Sequence, residues 1–288
     1  MAQKNYPLYE TTKFDDFRVM IENATRRFPE RTAIAYKTDP RDKAVVEVSY
    51  TQLRDRVRDL GTGLIGLGFR DKHIALAGEN SYDWICSYLA LMVIGAVVVP
   101  IDKDMPAEDM ADILRTAECA GLLYGASIEP KVSTFRGQVP GLDTWLCLGH
   151  PGCEDATVLE EIAARGREAV SGGDTSYDSV PIDPDRLATI VFTSGTTGKG
   201  KGVMLSQRNI ALDMTNGMYY FAITPRTICT LPLHHTFGST VILVGHISQG
   251  ATIYLSSGLR YIGAEIKEQQ PSHLVLVPLF LEKLHNRI

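Results

Sequence analysis

The chain has 288 residues, 44% of them hydrophobic, and 29 Lys and Arg against 34 Asp and Glu leave a net charge of −5. That is enough chain for one large domain or two ordinary ones around a substantial core. An acidic balance without a long basic run excludes a protein that holds nucleic acid through its phosphates, but not a local site for one nucleotide.

In chain order, Phe14, Phe17, Ile21 and Phe28 mark a first helix, followed by the strand "TAIAY". "VVEVSY" alternates as a strand, and Thr51 reads as the N-cap of a helix whose face is Leu53, Val57, Leu60 and Leu64. "HIALAG" reads as a buried strand, "SYDWICSYLALMVIG" as a helix capped by Ser81, and "AVVVPID" as a strand ended by Pro100. A helix near 107–117, the strands "GLLYG" and "TWLCLG", and a helix near 157–169 follow. The turn-rich segment 171–185 has few large aliphatics and reads as the main internal boundary, dividing the chain into 1–180 and 181–288.

Beyond it come "LATIVF", a helix from about Ser206, "TICTL", a helix near 236–248, "ATIYL", a helix near 259–268, "HLVLV" as a strand, and a helix opened by Pro278. Strands alternating with helices predict an α/β fold of mixed, largely parallel sheets flanked by helices.

The odd count of five cysteines, with no Cys-x-x-Cys pair and no signal-peptide core, reads as a reducing cytoplasm. The longest apolar run, Tyr88–Ile101, is short for a membrane span. Cys147, His150 and Cys153 lack a clear fourth ligand, so no metal site is expected there and Cys147 reads as a thiol at a strand end. Arg54, Arg56 and Arg58, interleaved with Asp55 and Asp59, read as a solvated helix face.

The chemistry concentrates after "LATIVF", where Thr193–Lys201 holds only hydroxyl residues, glycine and lysine. Ligands of open α/β sheets sit beyond the carboxyl ends of strands, where loops lead into helices. Backbone amides of a glycine-rich turn form an anion-binding concavity, hydroxyls add donors and lysines add charge, so a polyphosphate is the natural guest. The spacing is not that of a Walker A loop, a Gly-x-Gly-x-x-Gly turn or a nucleophile elbow, which would need Gly where Phe192 stands.

"TSGTTGKGKGVMLSQRN" closely resembles the phosphate-binding signature of the adenylate-forming superfamily, with Gly200 where proline is usual. "VSYTQLRDRV", "LMVIGAVVVPID", "LPLHHTFG" and "LVLVPLFLEKL" resemble further family segments in the family's order. The resemblance implies the large N-terminal domain of that superfamily, on the side of long-chain fatty acyl-CoA synthetases. It implies that Thr193, Ser194, Gly195, Thr196, Thr197 and Gly198 hold phosphates and that Lys201 adds a charge-assisted contact. His235 falls on the family histidine and would position substrate, while His234 and Lys199 carry no such role.

The implied substrates and cofactors are ATP, Mg2+, a carboxylic acid (a fatty acid for this subfamily) and coenzyme A. An alternative acceptor is the thiol of a carrier protein, and an alternative of another class is a nucleotide-binding or scaffolding piece that never adenylates. The family's adenine-stacking motif, ribose-binding Asp and late catalytic Lys have no counterpart up to Ile288. The expectation is therefore that these residues alone do not turn over, and that an apolar face drives self-association.

Overall fold

The computed structural model describes residues 11–149, 153, 155–193, 200–223 and 225–285. The elements are α1 (Phe17–Arg27), β1 (Thr32–Tyr36), β2 (Val46–Ser49), α2 (Tyr50–Gly66), β3 (His73–Ala77), α3 (Tyr82–Val93), β4 (Val97–Ile101), α4 (Ala107–Thr116) and β5 (Gly121–Gly125). A single 3₁₀ turn (Ala126–Ile128) leads to α5 (Glu129–Phe135), β6 (Thr144–Leu148), β7 (Thr157–Val158) and α6 (Leu159–Ser171). Then come β8 (Leu187–Thr193), β9 (Lys201–Ser206), α7 (Gln207–Gly217), β10 (Arg226–Cys229), a π-helical stretch (Gly238–Gly245) running into α8 (His246–Gln249), β11 (Thr252–Leu255), α9 (Ile262–Gln269) and α10 (Pro278–His285). The α/β class read from the sequence is the one observed. Among the described residues no helix is long and apolar enough to cross a membrane.

Two compact units are present, each assembled from separate stretches of chain. One takes Met1–Phe14, Val19–Leu53 and Ala211–Ile288; the other takes Asp15–Arg18 and Arg54–Ile210, a span that contains the turn-rich segment 171–185.

The first unit holds a four-stranded sheet ordered β10-β11-β1-β2, parallel except for β2. Ala35, Ile228, Tyr254, Ile262 and Phe280 form an apolar cluster there. The buried Tyr50 hydroxyl donates to the Ala251 carbonyl at 2.8 Å, so the polar end of a large core side chain is satisfied. Gly250 ends α8 with φ +71°, and a Cβ there would lie 2.0 Å from the Phe28 ring, so conformation and packing both demand glycine.

The second unit holds a seven-stranded sheet ordered β7-β6-β5-β3-β4-β8-β9, parallel except for β9. Helix α3 is buried from Trp84 to Val93 and starts at Ser81, whose side chain accepts from the Trp84 N–H. Helices α2 and α6 approach so closely that a Cβ on Gly166 would meet the Asp59 carbonyl oxygen at 1.8 Å and one on Gly63 the Ile162 carbonyl oxygen at 2.2 Å.

Several local expectations are corrected. The cap of α2 is Ser49: its hydroxyl accepts from the Gln52 N–H at 3.2 Å while the Gln52 side chain accepts from the Ser49 N–H at 2.8 Å, a reciprocal capping box. Thr51 instead donates to the Pro29 carbonyl. Arg56 is no solvated side chain, since it is 12% exposed and pairs with Asp83 of α3 at 3.2 Å and Glu160 of α6 at 2.6 Å. "HLVLV" forms no strand: Ser272 bonds to the start of β10, and residues 273–277 do not continue a ladder. Helix α5 is an element the sequence pattern does not announce. Cys147 does not end β6 as a thiol but is disulfide-bonded to Cys153, with Cα atoms 5.8 Å apart; His150 lies outside the described residues.

Candidate functional site

Strand β8 lies parallel to β4, paired through Val98 and Thr189, so its carboxyl end emerges on the same sheet edge as the ends of β3, β4, β5 and β6. The order of strand addition reverses around β3, because α3 leads to β4 on one side and α4 returns to β5 on the other. Such a switch point is where open α/β sheets place ligands. There Ser127, just past β5, donates to the Glu79 carboxylate, just past β3.

The glycine-rich segment leaves β8 at this edge but does not lead straight into a helix. Its far end opens β9, antiparallel to β8, with Thr193 opposite Lys201 and Phe192 opposite Gly202. The Thr193 hydroxyl donates to the Lys201 carbonyl at 3.5 Å. A Cβ on Gly202 would lie 2.7 Å from Ile190 Cγ2, so this glycine serves close packing across the hairpin. Sequence reasoning missed β9 because "GVML" is short and sits at the sheet edge, with Val203 43% and Met204 64% exposed. Its pairing with β8 is what makes it a strand.

The hairpin is anchored at both strands. Thr189, buried in β8, donates to the Val98 carbonyl of β4 at 2.8 Å. At the end of β9, Ser206 and Asn209 exchange hydrogen bonds between side chain and backbone N–H, which starts α7. Buried Gln207 donates to the Met92 carbonyl and accepts from the Phe17 N–H, each at 2.9 Å. These two anchors, Thr189 and Gln207, carry no sequence motif and were not anticipated.

Of the residues expected to hold phosphate, Thr193 and Lys201 are brought together as the last pair of this ladder, and both are exposed. Ser194, Gly195, Thr196, Thr197 and Gly198 lie outside the described residues. His235 belongs to the other unit, in the turn before the π-helical stretch; it is exposed, and its carbonyl accepts from the Ser239 N–H at 2.9 Å. That turn is tight, since a Cβ on Gly238 would meet the Pro232 carbonyl oxygen at 2.1 Å. Among the described residues no three His, Cys, Asp or Glu side chains converge as a resident metal site. A magnesium ion carried on phosphates needs fewer protein ligands than that.

Comparison with known proteins places these features in context. The family model described as AMP-binding enzyme matches residues 21–287. Phosphinothricin tripeptide synthetase PhsC of Streptomyces viridochromogenes is 29% identical over 92% of this chain and 23% of its own length. Long-chain-fatty-acid--CoA ligase 5 of Rattus norvegicus is 27% identical over 84% of this chain and 38% of its own. The chloroplastic long-chain-fatty-acid--[acyl-carrier-protein] ligase AEE15 of Arabidopsis thaliana is 27% identical over 92% and 38%. The chain thus spans well under half the length of these curated relatives. Among solved structures, the N-terminal domain of FACL13 from Mycobacterium tuberculosis superposes with a TM-score of 0.77 at 22% identity, over 94% of this chain and 64% of that one, and so shares its fold. A family match over residues 21–287, nearly the whole chain, means that this chain belongs to the AMP-binding enzyme family.

Proposed function

We propose that this chain is the part of an AMP-forming acid–thiol ligase that holds the phosphates of ATP, with a fatty acid as substrate and coenzyme A as acceptor. The observation that carries the reading is the β8–β9 hairpin. Thr193 and Lys201 bracket a connection, residues 194–200, made only of Ser, Thr, Gly and Lys, and the strand that enters it ends on the ligand-binding edge of a parallel sheet.

In the proposed reaction a carboxylate oxygen attacks the α-phosphorus of ATP, the bond to the β-phosphate breaks, and pyrophosphate leaves with the electron pair. The thiol then attacks the acyl carbon and AMP departs. A carboxylate needs no base for the first step, so the protein's contribution is positioning and neutralisation of charge. Thr193, Ser194, Thr196 and Thr197 would donate hydroxyls, Gly195 and Gly198 backbone amides, and Lys201 a charge-assisted contact to the departing phosphates. Exposed His235 would orient the acid rather than remove a proton. Mg2+ bound to the phosphates would spread their charge when present.

A carrier-protein thiol is the second acceptor reading, supported by the relative whose name specifies an acyl-carrier-protein. Residues 1–288 by themselves are proposed not to form acyl-adenylate. Tyr220 (60% exposed) and Phe221 (42%) support self-association of the isolated chain. The test is pyrophosphate exchange into ATP by the protein that carries this chain, over a panel of fatty and aromatic acids, followed by trapping with coenzyme A or a carrier protein. Exchange that depends on a fatty acid and product on coenzyme A support the reading; no exchange with any acid overturns it.

A further inference from the structure

The five cysteines fall into two groups. Cys86, Cys119 and Cys229 are buried in the interior, and burial pushes the Cys86 and Cys119 thiols up to about 12, which keeps them protonated and inert. Cys147 and Cys153 face each other at the carboxyl end of β6, six residues apart in sequence and 5.8 Å apart at Cα, inside the range a disulfide spans without backbone movement. The backbone around the pair suits the reversal, since Gly149 (φ +84°) and Asp155 (φ +49°) both adopt the left-handed conformation.

We propose that Cys147 and Cys153 are a reversible thiol–disulfide site that fastens the carboxyl end of β6 to the segment entering β7. The two sulfurs differ in access: Cys147 is 1% exposed, whereas Cys153 is half-buried. Cys153 is therefore the entry sulfur. Its thiolate attacks a low-molecular-weight disulfide such as oxidised glutathione, forming a mixed disulfide and expelling one glutathione thiolate. The Cys147 thiolate then attacks the Cys153 sulfur and expels the second glutathione. Two protein thiols are oxidised, one glutathione disulfide is reduced to two thiols, and the two protons pass to the leaving thiolates. Reduced glutathione or dithiothreitol reverses both steps.

The oxidised bond holds Cys153 against the core around Tyr124, where Cys153 Sγ lies 3.9 Å from the Tyr124 carbonyl oxygen. Tyr124 is in turn bonded to Glu129 at 2.5 Å and to Arg136 at 2.6 Å, so the staple secures a polar cluster at the end of β5.

The test uses the purified chain equilibrated across a series of glutathione redox buffers, then denatured and alkylated, with thiols counted and peptides mapped by mass. The expected result is five alkylated thiols under reducing buffers and three under oxidising ones, with one crosslinked peptide joining Cys147 to Cys153, restored by dithiothreitol. Cys147→Ser should stop at a glutathione adduct on Cys153, and Cys153→Ser should resist glutathionylation at Cys147. Five thiols at every poise, a crosslink to any other cysteine, or a bond that dithiothreitol leaves intact in the folded chain would overturn the proposal. The serine variants share the wild-type circular dichroism under reducing conditions if their effect is on the bond alone; a loss of fold under reducing conditions would contradict reversibility.

Discussion

Thr193 and Lys201 face each other as the last pair of the β8–β9 ladder, with the threonine hydroxyl bonded to the lysine carbonyl at 3.5 Å. The pairing fixes the backbone from which Lys201 projects, so its charge is held near one end of the connection without being spent in that bond. A charge-assisted contact to phosphate is worth ~1.5–3 kcal/mol. Lys201→Ala should therefore slow acid-dependent pyrophosphate exchange, in the protein that carries this chain, about 10- to 100-fold. Thermal unfolding should be unchanged, because Lys201 is exposed. Wild-type exchange in the variant would remove Lys201 from the site.

The α2–α6 contact predicts an effect on stability with no chemical component. In Gly166→Ala the new Cβ meets the backbone oxygen of Asp59 at 1.8 Å, an atom that yields only if a helix shifts. Overpacking of this kind typically costs about 1–3 kcal/mol. The transition midpoint in denaturant should fall accordingly, and an unchanged midpoint would show that the helices separate freely.

His246 predicts the pH dependence of stability. It is fully buried, its Nδ1 lies 3.0 Å from the Val241 carbonyl oxygen, and its Nε2 lies 2.8 Å from His273 Nε2. A carbonyl only accepts, so Nδ1 carries the proton, and His273 donates to His246 Nε2. Burial pushes His246 down from 6.5 to about 4, and burial lowers His273 as well. Between those values the unfolded chain binds a proton that the native His246 refuses. Its contribution is complete above pH 6.5 and is lost as pH falls toward 4, at about 1.4 kcal/mol per pH unit. His246→Gln should flatten the slope of unfolding free energy against pH in that window; a slope identical to wild type would contradict this.

Ser49→Ala removes one arm of the Ser49–Gln52 capping box. It should cost about 1 kcal/mol. Thr51→Ala, by contrast, loses only a bond to the Pro29 carbonyl. Equal or reversed losses in denaturant titrations would return the cap to Thr51.

Elements that announce themselves locally were legible in the sequence. Helix α3 combines a capping serine with a long apolar run, and β3, β4 and β5 are short apolar strands bounded by polar turns. What escaped was set by non-local pairing. Strand β9 exists because β8 lies beside it, while "HLVLV" has a strand's composition and forms no ladder. Arg56 has the pattern of a surface arginine, and only the arrival of α3 and α6 brings carboxylates to it. The Cys147–Cys153 pair has ordinary spacing, and among the described residues Gly149 and Asp155 take the left-handed conformation beside its closure. The candidate site was legible as a composition, hydroxyl and glycine residues ending on lysine; the hairpin that frames it was not.

If the segment bracketed by Thr193 and Lys201 holds the phosphates of a nucleotide, the purified chain should bind one without any acid or thiol present. Titration calorimetry with magnesium–ATP, repeated in excess pyrophosphate and with Lys201→Ala, measures this. Saturable binding is expected, displaced by pyrophosphate and weakened at least about tenfold in the variant. Absence of binding, or binding indifferent both to pyrophosphate and to the loss of Lys201, would contradict phosphate recognition by this hairpin.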